Sequence, residues 1–181
     1  MAAGTIWTVG HSNKSIDEFV ALIAAADIET LVDVRSYPSS KYNPQFNQNP
    51  LRRAIEVAGM KYQWAGRNLG GLAGNVRYPE TIAALARRAF AGERIAVMCS
   101  EGSHLKCHRG DTLAPSFREQ GLAVAHLQWD YTTVLQRAPG DVCEEDADDP
   151  RPELPVQTQE PLFDWDLPSQ RSDKVKGFVA P

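Results

Sequence analysis

Arg94-Ile95-Ala96-Val97-Met98, followed at once by Cys99-Ser100-Glu101-Gly102-Ser103-His104-Leu105-Lys106-Cys107-His108-Arg109, is the stretch that decides the fold. A short apolar run without alternation reads as a strand covered on both faces. A polar loop follows, and from about His108 to Gln120 the spacing turns helical. Strand, loop and helix in this order are the parts of a βαβ unit. The same grammar recurs outward from it. Ile6–Val9 and Thr30–Val34 read as buried strands, Lys61–Trp64 and Ala123–Leu127 as two more. Ser15-Ile16-Asp17-Glu18 is a capping box opening a helix to about Ala26, with Phe19, Leu22 and Ile23 on one face. Asn49-Pro50 reads as an N-cap with Pro at the first helical position, opening a helix to Ala58. Pro79 starts another, to about Phe90. Residues 65–77 carry Gly66, Gly70, Gly71 and Gly74 and read as loop rather than core. The expected architecture is α/β: a mostly parallel sheet of about five strands flanked by helices over residues 1–137, with crossovers of one hand.

Composition agrees and narrows the class. The chain has 181 residues, 43% of them apolar and 23% charged, as in ordinary globular proteins. No apolar run nears the roughly 20 residues of a membrane span. Met1-Ala2-Ala3-Gly4-Thr5 lacks the basic flank and apolar stretch of a secretion signal. Three cysteines make a disulfide framework a poor reading, so the expected compartment is the cytoplasm with reduced thiols. Charge is split: residues 1–137 hold 15 Lys/Arg and 12 Asp/Glu, residues 138–181 hold 4 and 11. The tail from about Ala138 is acidic and Pro-rich and is expected to be flexible. Within it, Gln159-Glu160-Pro161-Leu162-Phe163 is similar to the short Gln-x-x-Leu-Phe peptides that dock on the bacterial DNA sliding clamp. That makes the clamp a candidate partner through Gln159, Leu162 and Phe163.

In parallel α/β sheets, ligands bind beyond the carboxyl ends of the strands. His11, Ser12 and Asn13 follow the first strand, Arg35 and Ser36 the second, and Cys99, Ser100 and Glu101 the Arg94–Met98 strand. These segments are expected to share one cleft. Cys99 is the candidate nucleophile, with His11 and His108 as candidate acid/base groups. Arg35, Arg109, Ser12, Asn13, Glu101 and Cys107 are candidate anion- or substrate-binding residues. A strand-to-helix loop aims N–H groups at one spot, which suits oxyanions and lowers a thiol pKa. The plain alternative makes Cys99 a strand-end residue and packs Cys107 under the helix. Asp33 is either a structural partner of Arg35 or a catalyst. Cys99, His104, Cys107 and His108 have ligand chemistry, but the neighbours Cys107 and His108 would have difficulty sharing one ion, so no metal is expected. No cofactor is expected either, since the Gly-rich segment departs from the P-loop pattern.

Residues 41–77 hold Lys41, Arg52, Arg53, Lys61, Arg67 and Arg77 against one acid, Glu56, with Tyr42, Phe46, Tyr62 and Trp64 interleaved. Arg52, Arg53, Lys61 and Arg67 are therefore candidate nucleic-acid contacts, unless the aromatics are core and the cations a solvated face.

Thr8–Ser12, Leu31–Pro38 and Met98–Arg109 together resemble the prokaryotic domain of unknown function 488 family, across roughly residues 5–130. The resemblance implies an α/β domain with a shared polar site and no particular reaction. A weaker likeness runs to rhodanese domains, through a strand ending in Asp33-Val34-Arg35 and a Cys-led loop before a helix, although Cys99–Ser103 lacks their short basic loop. Three functions follow as expectations. The leading one is an enzyme acting on a phosphorylated substrate such as a nucleotide or nucleic acid. The others are a persulfide-carrying sulfurtransferase, with sulfur on Cys99 and Cys107 resolving it, and a non-catalytic nucleic-acid module recruited to the clamp.

Overall fold

A computed structural model describes residues 4–71 and 74–139, which lie within one unit spanning residues 1–145. The strands are β1 (Thr5–Gly10), β2 (Thr30–Asp33), β3 (Lys61–Trp64), β4 (Ile95–Cys99), β5 (Ala123–Leu127) and β6 (Thr133–Gln136). The helices are α1 (Ile16–Ala25), α2 (Gln48–Val57), α3 (Gly66–Leu69), α4 (Tyr78–Phe90) and α5 (Ala114–Glu119). The sheet runs β3-β2-β4-β1-β5-β6, with every pair parallel except β5–β6. The α/β class and the parallel core are as the sequence indicates. The sixth strand is additional: a turn at Gln128–Thr132, closed by the Asp130 carboxylate on the N–H and hydroxyl of Thr132, folds the chain back as a short exposed edge.

Alternation along the strands divides the core in two, because successive side chains point to opposite faces. Ile6, Val32, Val34, Ile95 and Val97 pack with Leu85 of α4 and Phe117 of α5. Val9, Leu31, Ala96 and Met98 pack with Phe19 and Ile23 of α1 and Leu51 and Ile55 of α2. Ser15 and Glu18 form the expected reciprocal cap at the start of α1.

Three local expectations are corrected. Helix α2 starts one residue before Asn49, capped by Asn47, whose amide oxygen instead accepts from the Ser40 N–H at 2.6 Å; Pro50 lies within the first turn, where its missing N–H is harmless. The helix after His108 opens as a wide turn, Arg109–Leu113, in which Ala114 N–H reaches back to the Arg109 carbonyl. Pro115, just inside α5, cannot donate to the preceding turn and its ring crowds a carbonyl there, a recognised cause of such widening. The Gly-rich segment is partly core: Gly66–Leu69 is a helical turn with Leu69 fully buried. Gly66 is required there because a Cβ would overlap the Arg35 carbonyl.

The register lines up the carboxyl ends of the strands, with Gly10 opposite Cys99, and Asp33 opposite both Met98 and Trp64. Among the described residues, no helix is long and apolar enough to cross a membrane. Gly66→Ala is expected to lower stability by about 1–3 kcal/mol through overpacking against the Arg35 carbonyl that follows β2. An unshifted denaturant midpoint would contradict that close approach.

Candidate functional site: a thiol pair beneath a pinned loop

The loops after β1 and β4 run side by side. His11 N–H donates to the Cys99 carbonyl at 3.1 Å and Ser12 N–H to the Ser100 carbonyl at 2.9 Å. Ser12 takes a left-handed backbone, φ 52°, an unfavourable conformation held by these contacts. The second loop then crosses over Gly10, where a Cβ would overlap the Glu101 carbonyl. Arg109 holds the crossing: one guanidinium nitrogen donates to the carbonyls of Glu101 (2.7 Å) and Gly102 (2.9 Å), and another reaches Thr8 Oγ1 (3.4 Å). Arg109 is fully buried.

This crossing returns Cys107 to Cys99. Their sulfurs lie 3.0 Å apart in a hydrogen bond, and His108 Nδ1 lies 3.6 Å from Cys99 Sγ and 3.7 Å from Cys107 Sγ. Both thiols are buried and free of any disulfide. Without a cation between them, two sulfurs so close cannot both carry charge, so they titrate as a pair. The hydrogen bond to Cys107 pushes the Cys99 thiol up, with burial acting the same way. The hydrogen bond shared with Cys99 holds Cys107 down against the effect of burial, aided by His108, the Arg109 N–H and the Arg109 charge.

A second network lies on the opposite face of the sheet. Arg35 grips both Asp33 oxygens, at 2.8 and 2.6 Å, and donates to the Phe46 carbonyl at 2.8 Å. Tyr62 Oη donates to Asp33 at 2.8 Å, and Trp64 Nε1 to the Arg35 carbonyl at 2.9 Å. His11 stacks on Phe46, 4.2 Å between centroids, and donates from Nδ1 to its neighbour's carbonyl, Ser12 O, leaving Nε2 toward Arg35 at 3.4 Å. Burial above all, with the Arg35 charge, lowers the His11 pKa to about 4 against the Ser12 carbonyl and Asp33, so the ring is neutral near pH 7. Asp33 is thus the structural partner of Arg35.

The structure therefore brings together His11, Ser12, Arg35, Cys99, Cys107, His108 and Arg109, but it changes several roles. Arg109 is a loop clamp with no exposed edge for an anion, and most of the Arg35 fork is occupied. Asn13 and the Glu101 side chain are exposed at the rim. Cys107 and His108, expected to have difficulty sharing an ion, both reach the same point with Cys99: the three ligand atoms lie within 4.8 Å of one another. His104 is elsewhere, stacked on His126 at 4.0 Å between centroids. Phe46 and Tyr62 are core, and Arg52 covers the Tyr62 ring at 5.3 Å. Arg53 borders a depression beside α2, and Lys61 borders another at the amino ends of the strands, away from Arg67. The four cations do not form one stripe. Sequence reasoning missed Tyr62, Phe46 and Trp64 as supports of Arg35, and Thr8 and His126 beneath Arg109; only strand register reveals them. The tail residues Gln159, Leu162 and Phe163 lie outside the described residues.

His126 is fully buried, bonded to Thr8 Oγ1 at 2.7 Å, with its pKa lowered to about 4 by burial first and then by His104 and Arg109. Its contribution is fully present above the unfolded value near 6.5 and declines as pH falls toward 4, because the unfolded chain takes up the proton first. Wild type should lose stability across that window faster than His126→Gln, by on the order of 1 kcal/mol per pH unit. Parallel stability–pH curves for the two proteins would refute a buried neutral His126.

Residues 15–78, about a third of the chain, match the family model described as Domain of unknown function DUF488. The matched span contains Leu31–Pro38 and its Asp33–Arg35 pair, but neither Thr8–Ser12 nor Cys99–Arg109. Comparison with curated proteins and with solved structures gives no match. The resemblance read from the motifs is thus borne out over residues 15–78, where the chain carries the DUF488 sequence pattern.

Proposed function

We propose that the protein is a thiol-dependent sulfur-transfer enzyme working through Cys107 and Cys99 in a reducing compartment such as the cytoplasm. The observation that carries this reading is the 3.0 Å separation of two buried reduced sulfurs in one hydrogen bond. We take Cys107 as the attacking sulfur: both sulfurs accept a backbone N–H, Cys99 from Glu101 and Cys107 from Arg109, but within the pair Cys99 is pushed up while His108 and the Arg109 charge hold Cys107 down. Its thiolate attacks the outer, sulfane sulfur of a donor such as thiosulfate. The donor's S–S bond breaks, sulfite leaves with the electron pair, and Cys107 holds a persulfide. A nucleophilic acceptor, a thiol or another soft anion, then takes the terminal sulfur and returns Cys107 as thiolate. No net oxidation of the protein occurs. Cys99 lies within reach to hydrogen-bond the persulfide. This exchanges the roles that the sequence suggests for the two cysteines.

The reading as an enzyme of phosphorylated nucleotides or nucleic acid has less support. It requires Arg35 and Arg109 to grip an anion, yet most of their donors are engaged with Asp33, Phe46, Glu101, Gly102 and Thr8, and Arg109 is fully buried. Treatment of the reduced, chelator-treated protein with thiosulfate should add one sulfur, a gain of about 32 Da, to the peptide containing Cys107. Cys107→Ala should abolish the gain, and Cys99→Ala should retain it with a shorter lifetime. Unmodified Cys107 with a competent donor, or an unchanged gain in Cys107→Ala, would exclude the mechanism.

A further inference from the structure

His108 is the third group at the thiol pair, and its part in sulfur transfer is confined to favouring the Cys107 thiolate. Its Nδ1 is nearly equidistant from the two sulfurs, at 3.6 and 3.7 Å. A zinc-class ion binds sulfur at about 2.3 Å and imidazole at about 2.0–2.1 Å in a tetrahedron. Such a site has sulfur–nitrogen edges of about 3.5–3.6 Å and a sulfur–sulfur edge of about 3.8 Å. Two of the three edges are therefore already in place. The third must open from 3.0 Å by somewhat under 1 Å, the scale of a small side-chain rotation.

Independent features support the same ligand set. Gly71 faces the imidazole: a Cβ there would sit 3.0 Å from His108 Nδ1 and 3.1 Å from Cγ, so glycine leaves that edge uncovered. The sulfurs are buried at 7% and 5% exposure, which favours a bound ion over a hydrated one once both thiols are ionised. Two thiolates also balance the charge of a divalent ion. Of the nearby cations, Arg35 is neutralised by Asp33, and the Arg109 guanidinium is directed at the loop carbonyls and Thr8.

We infer that Cys99 Sγ, Cys107 Sγ and His108 Nδ1 form a three-ligand site for a thiophilic divalent ion of the zinc class. Binding displaces the thiol protons to solvent, forms two sulfur–metal bonds and one nitrogen–metal bond, and changes no oxidation state. Water completes the tetrahedron, as in other sites with three protein ligands. The ion and a sulfane donor compete for the same sulfurs, so the loaded protein is silent in transfer. The inference rests on the reduced thiol pair and not on the transfer chemistry.

The test uses the full chain, reduced and freed of metal, titrated with zinc against a chromophoric chelator. One zinc per chain is expected, with proton release. Cys107→Ser and His108→Gln should each weaken binding by at least about a hundredfold, since loss of even an outer-shell partner costs about 10–100-fold. Thiol alkylation read by peptide mass spectrometry guards against a variant that fails to fold: in the wild type, zinc should protect Cys99 and Cys107. X-ray absorption of the loaded protein should show two sulfur neighbours and one imidazole nitrogen. Absence of zinc-dependent protection at Cys99 and Cys107, or equal affinity in Cys107→Ser, would overturn the inference. Sulfur transfer is assayed without metal and zinc binding without a sulfur donor, so either reading can fail alone.

Discussion

The Arg109 guanidinium, fully buried and directed at two loop carbonyls and the Thr8 hydroxyl, is the interaction on which the site depends. Hydrogen bonds from a charged donor contribute about 1.5–3 kcal/mol each, whereas an uncompensated buried charge costs more than it returns. Arg109 has no carboxylate partner in this arrangement, and its Nε finds none of any kind among the described residues. Its charge is therefore tolerable only while the loop supplies carbonyl oxygens at the right place. The loop can approach only because Gly10 has no Cβ. Arginine, glycine and the 99–109 loop thus form one mutually dependent unit, and the contact between Cys99 and Cys107 is its product. Beside burial, the same charge lowers the pKa of His104 and His126 beneath the loop.

Arg35 plays the corresponding part across the sheet. Asp33 closes its fork, Tyr62 and Phe46 complete the bonding, and His11 leans on Phe46. Both arginines stand where an anion site would need them, and both are committed to the protein itself. Bidentate and carbonyl-directed guanidinium contacts are geometrically demanding, so they hold the adjoining backbone to one arrangement. The candidate site is accordingly a rigid shell of polar groups around a small sulfur pair, not an open cationic cleft.

Much of the fold was legible because burial writes itself into local patterns. The unbroken apolar runs of β2 and β4 signalled strands covered on both sides, and the Ser15–Glu18 cap stated where α1 begins. What could not be read were features set by distant neighbours. The edge strand β6 is mostly exposed and so lacks an apolar signature. Gly66 resembled a loop glycine, yet it is small because the Arg35 carbonyl approaches it, a fact fixed by the pairing of β2 with β3. At the site, the density of reactive residues in 99–109 marked the right loop. The roles within it were not legible, since whether an arginine faces solvent or its own backbone depends on how the loop crosses β1. The pairing of β1 with β4 put His11 beside the Cys99 carbonyl and left His104 against His126 instead.

Burial also constrains what can react. With Cys99 and Cys107 at 7% and 5% exposure, only a narrow tip of a substrate can meet either sulfur without moving the loop. Moving the loop breaks the Arg109 contacts and leaves its charge unpaired, which makes opening for a bulky sugar phosphate unfavourable. A terminal sulfane sulfur or a single metal ion is one atom wide at the point of contact. Each also prefers thiolate to oxygen ligands or nucleophiles, matching a site whose accessible chemistry is two sulfurs and an imidazole. The proposed sulfane donor and the inferred metal ion thus share one size and one softness, and both readings depend on the clamp that creates the thiol pair.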